Sequence, residues 1–386
     1  MLKQLQAELA QRAKSGLMRQ RRVLSGAQQP EIDLDGQALL AFASNDYLGL
    51  AHHPQLIQAT QQALGQVGVG AGASHLINGH HALHEQAEKT LAAFVGYPSG
   101  LLFSTGYMAN LGIVSALLGR EDALFADKLN HACLNDAAIL SRASFQRYAH
   151  QDLAALERLL ANSHARRKLV AVDAVFSMDG DIADVPRLLA LCEQYDAYLL
   201  LDDAHGFGVL GQQGRGILSH FSVSSERIIY MATLGKAAGV AGAFVAATPV
   251  IMEYLMQFAR TYVYTTATPP ALAAALIKSV AVMQQEPQRQ QHLIDLIAYL
   301  KQHCVLQHWH LMPSDTAIQP LWVGDAEMAV RLSLKLMQAG IYVPAIRPPT
   351  VPQNSARLRI SLSAAHTQAQ VQQLIAALHQ AESELA

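Results

Sequence analysis

AYLLLDDAHGFGVLGQQGRG, residues 197–216, is the stretch on which the fold turns. Tyr198–Leu201 is apolar without alternation, as in a strand covered on both faces, and such strands belong to parallel sheets flanked by helices. The run stops at two acids and a histidine, Asp202, Asp203 and His205. Behind them Gly206, Gly208 and Gly211 spell G-x-G-x-x-G, which invites a dinucleotide-binding turn and an NAD-dependent oxidoreductase. That reading needs the third glycine to open a helix, and an acid about 20 residues on at the end of a second strand. Gly211 is followed instead by Gln-Gln-Gly-Arg-Gly, a poor helix start. The glycines are therefore expected to form a flexible loop that leaves room for substrate. Asp202 and His205 stand at the carboxyl end of a strand, where open α/β sheets bind ligands.

The same pattern recurs outward along the chain. GLLFS precedes YMANLGIVSALLG, KLVAVDAVF precedes VPRLLALCEQY, and RIIYMAT and GAFVAA follow. Buried strands alternating with helices give an α/β fold with a large, mostly parallel sheet, placed at residues 49–284. From Pro269 a long helical stretch leads into strands AIQPLWVG and ARLRISLS, interleaved with helices AEMAVRLSLKLMQAG and TQAQVQQLIAALHQA. This predicts a smaller C-terminal α+β domain over 285–386, with RPPTVPQN as a surface loop. Residues 1–48 form an N-terminal segment whose Leu2, Leu5 and Leu9 recur at helical spacing.

The chain has 386 residues, 28 basic against 30 acidic, and no long basic run, so it offers nothing to attract nucleic acid or a membrane surface. No window reaches the roughly 20 apolar residues of a membrane span, and the N-terminus lacks an apolar signal core. A cytoplasmic location is expected, although an amphipathic N-terminal helix also fits an organellar address. Cys133, Cys192 and Cys304 are too dispersed for a Cys-x-x-Cys pair and too few for a disulfide framework, and are expected to be packing residues. With 51% hydrophobic and only 15% charged residues, part of the surface is expected to be covered by a second subunit.

Two further clusters compete for function. His80 and His84 lie at i, i+4 on a predicted helix with His81 and Glu85 nearby, and could share a zinc ion. No His-Glu-x-x-His pattern or third ligand accompanies them, so a polar helix start with one functional histidine, and no metal, is expected. Lys236, in MATLGKAAGVAGAFV, follows a buried strand amid small residues. A lysine there is costly to bury unless neutralised or used covalently. Together with Asp202, His205 and the glycine-led helix start STGYMAN, it supplies what pyridoxal 5′-phosphate chemistry needs. The aldehyde takes a lysine, the ring nitrogen takes a carboxylate, and the phosphate takes the amides of Gly106 and Tyr107 at a helix N-terminus.

On SNDYLGL, STGYMAN, FSMDGD, DDAHGFGVLGQQGRG, TLGK, AIQPLWVGD, AIRPPTVP and ARLRISLSAAHT, spread over nearly the whole chain, the sequence resembles the α-oxoamine synthases, fold-type I pyridoxal-phosphate enzymes. The resemblance implies that Lys236 carries the cofactor and later moves the substrate Cα proton. It implies that Asp202 pairs with the pyridinium nitrogen, that His131 stacks over the ring, and that Ser177 and His205 bond its phenolic oxygen. Gly106, Tyr107 and Thr233 would hold the phosphate, with Thr265 and Thr266 reaching it in a partner subunit, so that a homodimer shares its sites. Arg359 would grip the amino-acid carboxylate, with Arg19, Asn45 and Thr350 lining the substrate side. AIRPPTVP points to the member that condenses L-alanine with a pimeloyl thioester, on coenzyme A or acyl-carrier protein, in biotin biosynthesis. The sister reaction of glycine with acetyl-CoA uses the same machinery.

Three stretches depart from the family pattern. GAGASHLINGHH replaces a segment richer in glycine and serine, Phe207 stands where threonine is common, and Ala238 where an aromatic residue is usual. These are expected to alter the acyl channel. Asp203 has no expected role beyond a cap or a supporting carboxylate.

Overall fold

The computed structural model describes residues 1–15 and 17–385. Tyr198–Asp202 is a strand, paired in parallel with Lys168–Asp173 on one side and Ile228–Thr233 on the other. Side chains alternate across it. Leu199 and Leu201 enter the apolar cluster on one face and Leu200 the cluster on the other, which is why the run reads apolar without alternation. Each fully buried leucine contributes about 2 kcal/mol.

The large sheet has the spatial order Ser99–Phe103, Ala243–Ala247, Ile228–Thr233, Tyr198–Asp202, Lys168–Asp173, Ala123–Asp127, Ser144–Tyr148. All strands run the same way except Ala243–Ala247, which is antiparallel to both neighbours. The reversal has a local cause. Leu234 N donates to Gly242 O at 2.8 Å and closes residues 234–242 into a hairpin too short to hold the crossover a parallel strand needs. Lys236 is carried on that hairpin.

The helical stretch after Pro269 is two helices, Pro270–Gln285 and Gln288–His303, broken at Glu286 and Pro287 where proline removes an amide donor. Beyond them Ile318–Gly324 and Ala356–Ser361 form the centre of an antiparallel sheet beside the helices Ala326–Gln338 and Gln368–Leu385. The N-terminal hairpin Glu31–Leu34 and Gln37–Ala41 pairs in parallel with Ile341–Tyr342, so residues near the start of the chain dock on those near its end. Leu2–Lys14 is helical as its spacing predicts, but it buries no residue in this chain.

The glycine stretch is not a flexible loop. Residues 201–210 are buried throughout. A Cβ at Gly206 would overlap Asp203 Oδ1, one at Gly216 would overlap Asp203 Oδ2, and one at Gly208 would lie 2.7 Å from Ala237 Cβ. Asp203 organises the turn: its Oδ2 accepts from Ile217 N at 2.8 Å and from the Tyr230 hydroxyl at 2.7 Å. Close packing around this carboxylate, rather than substrate passage, selects glycine. Phe207 and Ala238 are likewise core positions. Phe207 packs edge-on to Phe94 and Phe244, and the carbonyl of Ala238 accepts from Ser279 Oγ at 2.8 Å. Both side chains are buried, so they bear on an acyl channel only through the packing of the core behind it.

Candidate active site

The carboxyl edge of the sheet gathers most of the predicted residues. Gly106 and Tyr107 follow Ser99–Phe103, His131 follows Ala123–Asp127, Ser177 follows Lys168–Asp173, and His205 and Lys236 follow the next two strands; Asp202 and Thr233 are the last residues of theirs. Parallel strands separated by crossovers bring such distant segments to one edge.

Lys236 Nζ lies 2.9 Å from His205 Nε2. Burial lowers the lysine pKa to about 8, a shift only partly offset by the carboxylates of Asp202 and Asp173. Burial, with Lys236 adjacent, also holds His205 well below the ordinary histidine value, so its ring is neutral. Asp202 Oδ2 accepts from Asn110 Nδ2 at 2.7 Å and Oδ1 from Ala204 N at 3.1 Å. Burial raises its pKa while the Lys236 charge pulls it back. Asp173, the register partner of Asp202 on the adjacent strand, is a second buried acid that sequence reading passed over. The signal was present, since both acids end an apolar strand.

Gly106–Leu117 begins with Thr105 as its cap, Thr105 Oγ1 accepting from Met108 N at 3.1 Å. Among the described residues no acceptor takes the amides of Gly106 or Tyr107, which leaves two donors at the positive end of a helix. The Tyr107 ring turns away and its hydroxyl bonds Asp136. Thr233 Cγ2 sits 2.5 Å from where a Cβ of Gly106 would be, so only glycine lets the helix start approach that strand end. Among the described residues Asn110 Oδ1, Asp173 Oδ1 and Thr233 Oγ1 are buried without a hydrogen-bond partner. The Thr233 hydroxyl, at the strand end beside Gly106, is a donor that a phosphate would take up. The donor set fits pyridoxal phosphate: helix amides for phosphate, Asp202 for a ring nitrogen, Lys236 for an aldehyde.

Arg359 is buried in the antiparallel sheet and reaches this edge. Its Nε donates to the Ser177 carbonyl at 2.6 Å, and its Nη1 to Ser361 Oγ at 2.8 Å and Asn45 Oδ1 at 3.2 Å. Ser177 thus acts here through its carbonyl. Tyr47, inside the SNDYLGL motif but not singled out in sequence, joins the group, its hydroxyl 2.7 Å from His205 Nδ1. His131 is exposed at the start of Ala132–Ser141, its backbone N donating to Asp173 Oδ2 at 3.0 Å and its Nδ1 lying 2.9 Å from Cys133 Sγ.

Four predicted residues lie outside this cluster. Arg19 and Thr350 are exposed and share a separate cleft of about 510 Å³ with Arg12, Arg22 and Arg347, a lining without carboxylates among the described residues. Thr265 and Thr266 lie on the segment after Arg260–Val263, where Thr266 bridges to Ser74.

The histidine group gains a member, His75, within metal-ligand reach of His80 and His84. Hydrogen bonds account for its geometry. His84 Nδ1 accepts from His81 N at 3.0 Å and its Nε2 donates to Thr268 O at 2.8 Å, which uses both nitrogens. His75 Nδ1 meets His80 Nδ1 at 2.8 Å, and His80 Nε2 faces Glu85 at 3.3 Å. The cluster backs the segment that carries Thr265 and Thr266.

Comparison with known proteins agrees with this chemistry. The family of class I and II aminotransferases matches residues 37–378. An 8-amino-7-oxononanoate synthase of Methylobacillus flagellatus is 62% identical over 382 residues, 99% of this chain and 96% of the relative. Among solved structures, SPT with its PLP internal aldimine superposes with a TM-score of 0.94 at 29% identity, covering 100% of this chain and 99% of that one. An 8-amino-7-oxononanoate synthase of Francisella tularensis gives 0.78 at 33% identity, covering 89% and 97%. The chain belongs to the class I and II aminotransferase family, within the group of 8-amino-7-oxononanoate synthases.

Proposed function

We propose that this chain condenses L-alanine with a pimeloyl thioester, releasing carbon dioxide and the free thiol carrier to give 8-amino-7-oxononanoate, with pyridoxal 5′-phosphate as cofactor. The observation that carries the reading is the buried Lys236 amine, its pKa drawn down to about 8, beside His205 and within the field of Asp202. The cofactor, when bound, supplies an electron sink for the pair left at the substrate Cα.

The rest falls to the chain. An amine with a pKa near 8 is neutral often enough near neutral pH to take the Cα proton, and basic enough to hold it. Asp202, steadied by Asn110 and the Ala204 amide, is suited to keep a heterocyclic nitrogen protonated. Arg359 offers a rigid guanidinium fork to the alanine carboxylate, which would orient the Cα–H bond toward Lys236. His131 is suited to lie over the ring and to polarise the acyl carbonyl. The arginine-lined cleft with Arg19 and Thr350 suits the anionic parts of the acyl donor, whether coenzyme A or a carrier protein bears it.

Thr265 and the exposed Thr266 lie apart from the site of their own chain, which favours a homodimer in which they reach the partner's phosphate. No described helix is long and apolar enough to cross a membrane, in keeping with the cytoplasmic location we assign. Product analysis with alanine and pimeloyl-CoA, against glycine and acetyl-CoA, tests the proposal. Aminoketone from the second pair alone would overturn it.

A further inference from the structure

Tyr47 stands between the two ends of the site. Its side chain is fully buried, yet its hydroxyl meets His205 Nδ1 at 2.7 Å, Asn45 Oδ1 at 3.1 Å and Arg359 Nη2 at 3.4 Å. Burial raises the phenol pKa, and the Arg359 charge offsets this only in part, so the group stays protonated. It has one proton to give. Arg359 is a donor only, so that proton goes to His205 or to Asn45. Asn45 Oδ1 has two lone pairs and could take this proton beside the bond from Arg359 Nη1 at 3.2 Å, so length decides: 2.7 Å to His205 Nδ1 against 3.1 Å to Asn45 Oδ1.

The direction of that bond decides what His205 does. A neutral imidazole carries one N–H. When Tyr47 donates to Nδ1, the ring proton stays on Nε2, which faces Lys236; a charged lysine cannot accept it, so this tautomer belongs to the neutral amine or to the lysine engaged by the cofactor. Without the hydroxyl, Nδ1 has no donor and Nε2 is free to become an acceptor. A phenolate oxygen needs a donor, so only the first tautomer serves it.

We propose that Tyr47 is a positioning residue: its hydroxyl fixes His205 as the Nε2–H tautomer that the cofactor's phenolic oxygen requires, and the same oxygen steadies Arg359. This rests on assigning His205 to that oxygen, as in the function proposed above. It ties the residue that binds the carboxylate to the residue beside the lysine through one atom.

Tyr47→Phe keeps the ring and removes the hydroxyl. The primary readout is a pH titration of the visible absorbance of the cofactor-loaded protein without substrate, so it is independent of which amino acid reacts. A phenolic oxygen that has lost its outside donor depends more on the proton at the lysine–cofactor linkage. The apparent pKa of that linkage should therefore rise by about one unit, the scale of one hydrogen bond to a charged oxygen. The KM for alanine should rise roughly fivefold or more, with the KM for the thioester unchanged. In a His205→Gln background, where no tautomer remains to be set, Tyr47→Phe should leave the titration unmoved. An unshifted titration in the single variant, or an equal shift in both backgrounds, would overturn the proposal. So would a lowered unfolding temperature with titration and KM unchanged, which is what packing alone predicts.

Discussion

Asp173 and Asp202 are register partners at the ends of adjacent parallel strands, both buried, and their environments differ. Asp202 receives hydrogen bonds from Asn110 Nδ2 and Ala204 N and lies in the field of Lys236. Asp173 Oδ2 receives one, from His131 N, and among the described residues its Oδ1 receives none. Burial, and then repulsion from Asp202, pushes Asp173 well above the carboxylate range. Asp202 therefore keeps the charge and Asp173 keeps a proton. An amide mimics a protonated carboxyl, so Asp173→Asn should retain kcat within about threefold at neutral pH. Asp202→Asn, which removes the charge facing the ring nitrogen, should lose about a hundredfold or more. Steady-state kinetics of the two variants decide it, and comparable losses in both would refute the assignment.

Lys236 sets a second expectation through its pKa near 8, compared with about 10.4 for an unperturbed lysine. Only the neutral amine attacks an aldehyde. Loading of the cofactor-free protein should therefore speed up about tenfold per pH unit below 8 and level off above it. Rapid-mixing absorbance between pH 6 and pH 10 would follow this, and a rate still climbing at pH 10 would contradict it. Lys236→Ala should bind the cofactor without covalent attachment and lose turnover.

The edge of the sheet was legible because function there is written in strand-terminal residues. Asp202, His205 and Lys236 each follow an apolar run, and a run with no alternation predicts burial on both faces. Tyr47 escaped because it lies in the short polar connection SNDYLGL with no strand end to mark it, and Asp173 because the apolar run continues past it through residues 174–176; only the fold shows which polar atom faces the site. His75 escaped because the wide helical turn His75–Gly79, with an i, i+5 spacing that the usual 3.6-residue period does not suggest, brings it to His80. The antiparallel Ala243–Ala247 looked parallel because burial on both faces leaves the same apolar pattern in either direction. Arg19 and Thr350 gather in a cleft of their own, which local pattern does not reveal.

His150 was silent in the sequence and is held between two carboxylates, Nδ1 3.1 Å from Asp127 Oδ1 and Nε2 2.9 Å from Asp181 Oδ2. Burial alone would lower its pKa, but the bonds to Asp127 and Asp181 prevail and raise it to about 10. A raised histidine pKa stabilises the fold fully below its unfolded value, about 6.5, and that stability is lost as pH rises through 10. The difference in urea stability between the native protein and His150→Gln should be constant up to pH 6.5 and shrink steadily toward pH 10. At pH 6 it should be about 2 kcal/mol, the scale of hydrogen bonds to charged groups. A difference that grows with pH would reverse the sign and sink the reading.

The glycines at 206 and 216 make the last expectation, because the same substitution should act oppositely at a third site. At Gly206 a methyl group would overlap Asp203 Oδ1, and at Gly216, where φ is +85°, it would overlap Oδ2 and strain the backbone as well. Asp203 has little freedom to withdraw, since moving it breaks its bonds to Ile217 N and Tyr230. Gly206→Ala and Gly216→Ala should each cost about 2–4 kcal/mol, a loss of the kind expected from overpacking combined with a broken buried hydrogen bond. Gly65 lies in the helix Pro54–Val67, and nothing stands within 4 Å of where its Cβ would be. Gly65→Ala should stabilise by up to about 1 kcal/mol, because alanine loses less backbone freedom on entering a helix. Chemical denaturation of the three variants compares them directly. Tolerance at 206 and 216 would mean that the turn is a pliable loop after all, and that Asp203 does not organise it.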